Sequence, residues 1–199
     1  MTGSNERDIQ PSTSVLARGL RVLGEAKVVL DVGCGAGRSS RTLAAGARVI
    51  AIDINGDKLA RAPRDPDVLY VRGDATRVPI ASGTTDGVYS LGLLQVLGDD
   101  GNERIRQALR ELRRVLKASG VAIMGTLADF RSQGSPYRSL TGAEVSKCMR
   151  GTFALFELIG LMDSDTEGDR ARYWYIHALP IKDEYGTRVS DRLASAERA

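Results

Sequence analysis

The sequence lacks the features of several protein classes. It has only two cysteines, Cys34 and Cys148, so neither a disulfide framework nor zinc-site spacing is available, and no metal site is expected. The polar stretch 1–10 has no apolar core, which argues against a secretion signal. No apolar run approaches the roughly 18 residues of a membrane-spanning helix. These absences predict a protein of the reducing cytoplasm.

The charge balance gives little support for a nucleic-acid partner. The chain has 28 basic and 25 acidic residues, for a formal net charge of only +3. With 199 residues, no internal repeat and no second core, it is expected to form one domain. We predict that the domain covers residues 12–181, between a flexible tail at 1–11 and a polar C-terminal tail at 182–199.

A glycine-rich stretch near the N-terminus carries the strongest signal. The apolar run Val28–Val32 predicts a parallel strand buried on both faces. Gly33, Gly35 and Gly37 follow at alternating positions, where they permit a sharp turn and remove Cβ atoms that would keep a ligand off the backbone. A helix begins next, with its unpaired N–H groups facing the same crevice. The pattern predicts a nucleotide-type site in an α/β sheet.

Two aspartates follow the next two predicted strands. Asp53 lies at the carboxyl end of strand 48–54, where open α/β sheets bind ligands, and could accept hydrogen bonds from two ribose hydroxyls. The alternative role of Asp53 is to cap the following helix. Asp74 follows strand 68–72 and could accept a hydrogen bond from an exocyclic amine, or instead form an Asx-turn.

Further helices and strands complete the expected order. A leading helix over 12–24 packs beside the sheet or covers the site as a lid. Thr141 and Glu144 fit a capping box. The link between the last two strands is too short for a helical crossover, so the last strand is expected to be antiparallel. The other predicted elements are helices at 38–46, 56–62, 102–117 and 141–149, and strands at 85–91, 120–127, 153–161 and 172–179.

Together these motifs resemble those of the class I S-adenosylmethionine-dependent methyltransferases of small-molecule type. The resemblance covers about residues 28–128, and the order and spacing of the motifs make it specific. It is weakly extended by Leu140–Glu144 and the chain up to Phe153. The matching motifs are Leu30–Gly37, Ile50–Asp53, Arg72–Ala75 with Val78-Pro79, Asp86–Val88, and Glu111–Lys117 followed by Gly120.

The resemblance implies a doubly wound, Rossmann-like fold. Its sheet would have seven mostly parallel strands with an antiparallel last strand, and helices on both faces. It also implies S-adenosylmethionine as cofactor and S-adenosylhomocysteine as product. The implied cofactor-binding residues are Asp31 and the Gly33 backbone at the methionine amino group, Gly35 and Gly37 under the cofactor, Asp53 at the ribose, Asp74 and Ala75 at the adenine, and Leu91 at the methionine portion. Ile54, next to Asp53, is also expected to bind the cofactor.

The acceptor side is less defined. The implied reaction is an in-line displacement by an O, N or C nucleophile of a small molecule, and positioning alone can supply roughly 7–11 kcal/mol of the barrier. Gln95 stands where many small-molecule members carry a histidine, and the only histidine, His177, is expected to be structural. We expect four residues of the segments at the carboxyl edge to border the acceptor site: Gln95, Tyr137, Arg138 and Tyr173.

Three other functions use similar sequence features. A nicotinamide dehydrogenase would carry G-x-G-x-x-G, but Arg38 stands at the position of the third glycine. A non-catalytic protein could bind S-adenosylmethionine on the same fold. A nucleic-acid methyltransferase would typically show an Asn-Pro-Pro-Tyr-type motif after strand 4, which the sequence lacks.

Overall fold

The computed structural model describes residues 19, 21–98, 102–128, 138–164 and 170–179. In these residues the helices are α1 (Arg38–Leu43), α2 (Gly56–Ala60), α3 (Leu93–Leu97), α4 (Glu103–Val115) and α5 (Gly142–Met149). The strands are β1 (Val28–Val32), β2 (Arg48–Asp53), β3 (Val68–Arg72), β4 (Thr85–Leu91), β5 (Leu116–Ala128), β6 (Leu155–Ser164) and β7 (Arg170–Leu179). The two predicted tails and Tyr137 lie outside the described residues.

The strands form one sheet in the order β3-β2-β1-β4-β5-β7-β6. Strands β1 to β5 pair in parallel, whereas β7 is antiparallel to both β5 and β6. Strands β1 and β4 are neighbours although β2 and β3 lie between them in sequence, so the strand order reverses at this point. Ligands of open α/β sheets bind in the crevice at such a switch point. The predicted doubly wound fold is confirmed.

Helices cover both faces of the sheet. Adjacent residues of β1 show the alternation, since Val29 belongs to one buried cluster and Leu30 to the other. The cluster around Leu30 includes residues of α3, α4 and α5. The cluster around Val29 includes Leu43 of α1 and Leu23. Each face of the sheet is therefore buried, which explains the apolar runs of its central strands.

The described end of the leading helix packs on the sheet. Residues 19, 21 and 22 are helical, and a Cβ atom on Gly19 would come within 2.9 Å of the Tyr89 ring. Leu23 is buried in the same cluster as Val29 and Tyr89. These contacts are those of a core element rather than a lid.

The boundary between α4 and β5 differs from the expectation. The helix ends at Val115 rather than at residue 117, and β5 begins at Leu116 rather than at residue 120. The register moves from Thr85 opposite Leu116 to Gly87 opposite Val121, so β5 bulges. Lys117 reaches the Asp86 carboxylate at 2.7 Å within this bulge. The last two strands are also longer than expected, at Leu155–Ser164 and Arg170–Leu179.

Candidate cofactor site

The glycine loop between β1 and α1 has a left-handed backbone at three positions. Gly33, Gly35 and Gly37 have φ values of +77°, +55° and +77°. A Cβ atom on Gly37 would overlap the Tyr70 hydroxyl, whereas one on Gly35 would meet only Lys58 Cδ, at 3.9 Å. The loop therefore packs tightly against the protein at Gly37 and leaves space beside Gly35.

Asp31 is a buried carboxylate at the end of β1. It is 2% exposed, and its Oδ2 atom accepts a 2.6 Å hydrogen bond from the Ser40 hydroxyl in the first turn of α1. Burial raises the pKa of Asp31 to about 7; the Ser40 hydrogen bond opposes this shift, and the nearby charge of Asp53 adds to it. No residue in the described part of the chain donates a hydrogen bond to Oδ1. That oxygen can accept from a cationic group entering the crevice.

Ser40 is a site residue that the sequence reasoning missed. The available signal was a small hydroxyl side chain in the first turn of the helix after the glycine loop, nine residues from Asp31. A serine there can reach back under the loop to the carboxylate that ends the preceding strand. Its contribution is to hold the Asp31 carboxylate in one orientation.

Asp53 connects the end of β2 to the glycine loop. Its Oδ2 accepts from the Gly35 N–H and its Oδ1 from the Asn55 N–H, both at 2.8 Å. The N-cap of α2 is Asn55, which accepts from the N–H groups of Asp57 and Lys58. The capping role therefore belongs to Asn55, and Asp53 faces the crevice beside Gly35. The next residue, Ile54, is 60% exposed.

Asp74 forms the Asx-turn that was one of its two expected roles. Its Oδ1 accepts from the backbone N–H and the hydroxyl of Thr76, both at 2.8 Å, and these bonds lower the pKa of Asp74. Within the described ranges, neither Asp74 Oδ2 nor the Ala75 N–H has a hydrogen-bond partner. The turn thus fixes the carboxylate and leaves one acceptor and one adjacent donor for a ligand.

The segment after β4 contributes Leu93 to the loop. Gly92 has a φ of +74° and directs the chain into α3. The Leu93 side chain lies 3.3 Å from where a Gly33 Cβ atom would be. Leu91, the residue expected at the methionine portion, is partly buried and packs against the cluster around Val29, so its role at the cofactor stays a prediction. Leu93 is therefore the apolar residue of this segment that covers the glycine loop.

The side chains of two of the four acceptor-site candidates are described, and both form hydrogen bonds to other parts of the protein. Gln95 is 7% exposed, and its Oε1 accepts from the Leu127 N–H at 2.8 Å. Arg138 donates to Asn102 Oδ1 at 2.9 Å and pairs with Glu144 of the capping box. Their role at an acceptor stays a prediction.

Of the remaining candidates, Tyr173 is placed by its backbone alone, and the histidine lies on the same strand. Tyr137 is outside the described residues, and Tyr173 is described only by its place in β7, opposite Leu127 and Leu161. His177 is buried in β7, opposite Ile123. In the described ranges no cluster of three His, Cys, Asp or Glu side chains could hold a metal ion. No helix in those ranges is long and apolar enough to span a membrane.

Comparison with known proteins identifies a domain and several relatives. Residues 30–124 match a family model described as a methyltransferase domain. The chain is 37% identical over 123 residues to the cypemycin N-terminal methyltransferase of Streptomyces, covering 59% of this chain and 49% of that protein. It is 36% identical over 103 residues to the malonyl-[acyl-carrier protein] O-methyltransferase of Pectobacterium atrosepticum, covering 51% and 39%. The chain thus spans about half the length of these curated relatives, or less.

Solved structures share the fold. The YcgJ protein from Bacillus subtilis has a TM-score of 0.64 and 13% identity, and the match covers 86% of this chain and all of that one. Phosphoethanolamine N-methyltransferase 2 of Haemonchus contortus was solved with S-adenosyl-L-methionine. It has a TM-score of 0.66 and 15% identity, and the match covers 83% of this chain and 53% of that one.

The described residues fit S-adenosylmethionine. The space beside Gly35 admits a ligand, Asp53 binds the N–H of that glycine, and Asp31 offers a carboxylate oxygen at the end of the neighbouring strand β1. The turn at Asp74 adds an acceptor and a donor at the next strand end. The family match, the sheet order and this arrangement agree: residues 30–124 are similar to a methyltransferase domain, on a sheet with the predicted Rossmann-like order.

Proposed function

We propose that this protein transfers a methyl group from S-adenosylmethionine to an O, N or C nucleophile of a small molecule. The observation that carries the proposal is the arrangement at the switch point of the sheet. There the open glycine loop follows Asp31 near the end of β1, and its Gly35 N–H is bound by the carboxylate of Asp53 at the end of β2. Two aspartates next to a glycine backbone suit a ligand with a cationic amine and ribose hydroxyls.

The methionine and ribose portions would be held by residues of β1 and β2. Asp31 Oδ1 and the Gly33 backbone would bind the ammonium group, because a buried carboxylate gains most from a cationic partner. Asp53 would accept from the ribose hydroxyls, since each of its oxygens has a second lone pair besides the one used by a backbone N–H. Exposed Ile54 would provide an apolar surface beside the ribose.

The adenine and the methyl group would lie further along the same edge. Asp74 Oδ2 would accept from the adenine amine and the Ala75 N–H would donate to a ring nitrogen. Leu93 over Gly33, with Leu91 behind it, would enclose the methionine portion near the reacting centre. When bound, S-adenosylmethionine supplies an electrophilic methyl group on a sulfonium and leaves as S-adenosylhomocysteine.

The protein's share of the catalysis would be mainly positioning. Holding a nucleophile in line at about 3–3.5 Å can supply roughly 7–11 kcal/mol, whereas a general base adds about 10²–10⁴-fold. Gln95 and Arg138, together with Tyr137 and Tyr173, would border the acceptor. The names of the relatives, which include a malonyl-[acyl-carrier protein] O-methyltransferase and a demethylmenaquinone methyltransferase, support acceptors other than nucleic acid. The cytoplasmic location stays a prediction.

Ligand-dependent unfolding tests the cofactor, and labelled methyl transfer tests the reaction. A ligand that binds only the folded state at 100 times its Kd stabilises that state by about 2.7 kcal/mol. We expect this stabilisation from S-adenosylhomocysteine and none from NAD, followed by transfer of labelled methyl to a member of a small-molecule acceptor panel. Protection by NAD alone would overturn the proposal. Tight S-adenosylhomocysteine binding without transfer to any acceptor would favour the non-catalytic alternative.

A further inference from the structure

Two charged side chains of α4 hold the loop that carries Asp74. Glu111 Oε2 accepts from the Val78 N–H at 2.8 Å, and Arg114 Nη2 donates to the Val78 carbonyl at 2.8 Å. Arg114 Nη1 also donates to the Ile80 carbonyl at 2.7 Å. Both backbone groups of Val78 are therefore bound by one turn of a neighbouring helix. We call Glu111 and Arg114 the α4 brace.

The brace is rigid because its two members bind each other. Arg114 Nε donates to Glu111 Oε1 and Nη2 to Oε2, both at 2.8 Å. This bidentate pair lowers the pKa of Glu111 and raises the pKa of Arg114, so both stay charged near neutral pH. A planar guanidinium can serve one carboxylate and two carbonyls at once, which an ammonium group cannot do with the same geometry.

The rest of the loop is tied to the same helix end. The N–H groups of Gly83 and Thr84 donate to the carbonyls of Arg114 and Val115, both at 2.9 Å. Ala75 and Val78 are buried in the same apolar cluster as Leu112 of α4. The connection from β3 to β4 thus takes its position from α4.

A short hydrogen-bonded turn connects Val78 to Asp74, so the position of one residue restricts the position of the other. The Arg77 N–H donates to the Asp74 carbonyl at 3.0 Å, and the Asp74 carboxylate binds Thr76. Only three residues separate Asp74 from Val78, and the hydrogen bonds of this turn leave the two residues little independent movement. Removing the brace would release the turn on the side away from β3.

We propose that Glu111 and Arg114 are positioning residues that set the recognition of the cofactor's adenine, although neither lies at the cofactor site. They would do so by fixing the loop that presents Asp74 Oδ2 and the Ala75 N–H. This inference rests on the adenine role proposed above for these two groups. Without the brace, the loop would still connect β3 to β4 in the folded protein. It would no longer hold the Ala75 N–H and Asp74 Oδ2 in the fixed positions that distinguish an adenine from other bases.

The test compares two ligands and three variants. S-inosylhomocysteine carries a carbonyl where S-adenosylhomocysteine carries the exocyclic amine, so the Asp74 carboxylate would repel it. The variants are R114A, the conservative R114K, and the control R110A. Arg110 lies one turn earlier on α4 and pairs with the exposed Glu103 of the same helix. Calorimetric Kd values for both ligands and amide exchange of residues 74–80 are measured for each protein.

We expect the wild type and R110A to prefer S-adenosylhomocysteine by about tenfold or more, because a site built for one hydrogen-bond pattern rejects the other. In R114A this preference should fall several-fold and the amides of the loop should exchange faster, while R114K lies between. Unchanged preference in R114A, even with lowered stability, would show that the brace is only structural. A wild type without any preference would instead overturn the adenine role itself, and the brace with it.

Discussion

Ser40 donates a 2.6 Å hydrogen bond to Asp31, and the carboxylate it binds is 2% exposed. The charged groups near Asp31 do not compensate for this burial. Instead, the negative charge of Asp53 raises the pKa of Asp31 further. The neighbourhood therefore favours a proton on Asp31, or a cationic ligand beside it.

The first prediction concerns stability and pH. The pKa of Asp31 rises from 3.8 to about 7 on folding, so the folded state binds more protons than the unfolded state between these values. Stability of the ligand-free protein should fall as pH rises from about 4 to about 7. D31N removes this loss and should gain on the order of 1–4 kcal/mol over wild type above pH 7. Urea unfolding at pH 5 and pH 8 measures the difference.

The matched control for this prediction is S40A. The Ser40 hydroxyl lowers the pKa of Asp31, so its removal should move the loss of stability to higher pH. D31N and wild type with parallel pH profiles would contradict the prediction. A D31N protein that is more stable but no longer protected by S-adenosylhomocysteine would in addition support the ammonium-binding role of Asp31.

The second prediction separates the two roles considered for Asp53. D53A should weaken S-adenosylhomocysteine binding by about 10–100-fold, since charged hydrogen bonds are worth roughly 1.5–3 kcal/mol each. N55A removes the cap of α2 and should lower stability by about 0.5–2 kcal/mol while leaving the Kd nearly unchanged. Calorimetric titration and thermal unfolding of both variants measure these effects. Equal Kd values for D53A and wild type would exclude the ribose role.

The sequence predicted the sheet because its central strands are short, apolar and closed by glycine or aspartate. Burial on both faces leaves such a pattern, and β1, β2, β3 and β4 were each expected within one residue of their ends. The helix-to-strand boundary at Val115 could not be obtained in this way. It depends on the pairing of Lys117 with Asp86, which lies on another strand. Local propensity gives no sign of such long-range contacts.

The site residues that the sequence predicted belong to local motifs, whereas those it missed act through contacts between distant parts of the chain. Gly35 and Asp53 belong to local motifs and were found by spacing, although their mutual hydrogen bond was not foreseen. Ser40 and Leu93 act through contacts across the loop, and neither carries a distinctive residue type. Gln95 was considered only for the acceptor, and its bond to Leu127 across 32 positions is visible only in three dimensions.

The third prediction tests the tight side of the glycine loop. In G37A the new Cβ would overlap the Tyr70 hydroxyl at a left-handed backbone position. The expected cost is roughly 1–2 kcal/mol for the backbone and about 1–3 kcal/mol for overpacking, with loss of S-adenosylhomocysteine protection. Gly46 has open space around it, so G46A should be neutral or slightly stabilising. Equal thermal stabilities of the two variants would contradict the packing of the loop.

The fourth prediction concerns Gln95. Its Oε1 is the acceptor for the buried Leu127 N–H on β5, so Q95A leaves that donor without a partner. Leaving a buried donor unsatisfied costs about 1–3 kcal/mol, and the urea midpoint should fall accordingly with an unchanged m value. The neighbouring Val96 is 57% exposed on the same helix, and V96A should change stability by less than about 0.5 kcal/mol. If Q95A is as stable as V96A, the bond to Leu127 contributes nothing to stability. A Q95A protein that is destabilised and also changes the KM for an acceptor would show that one side chain both supports β5 and borders the acceptor.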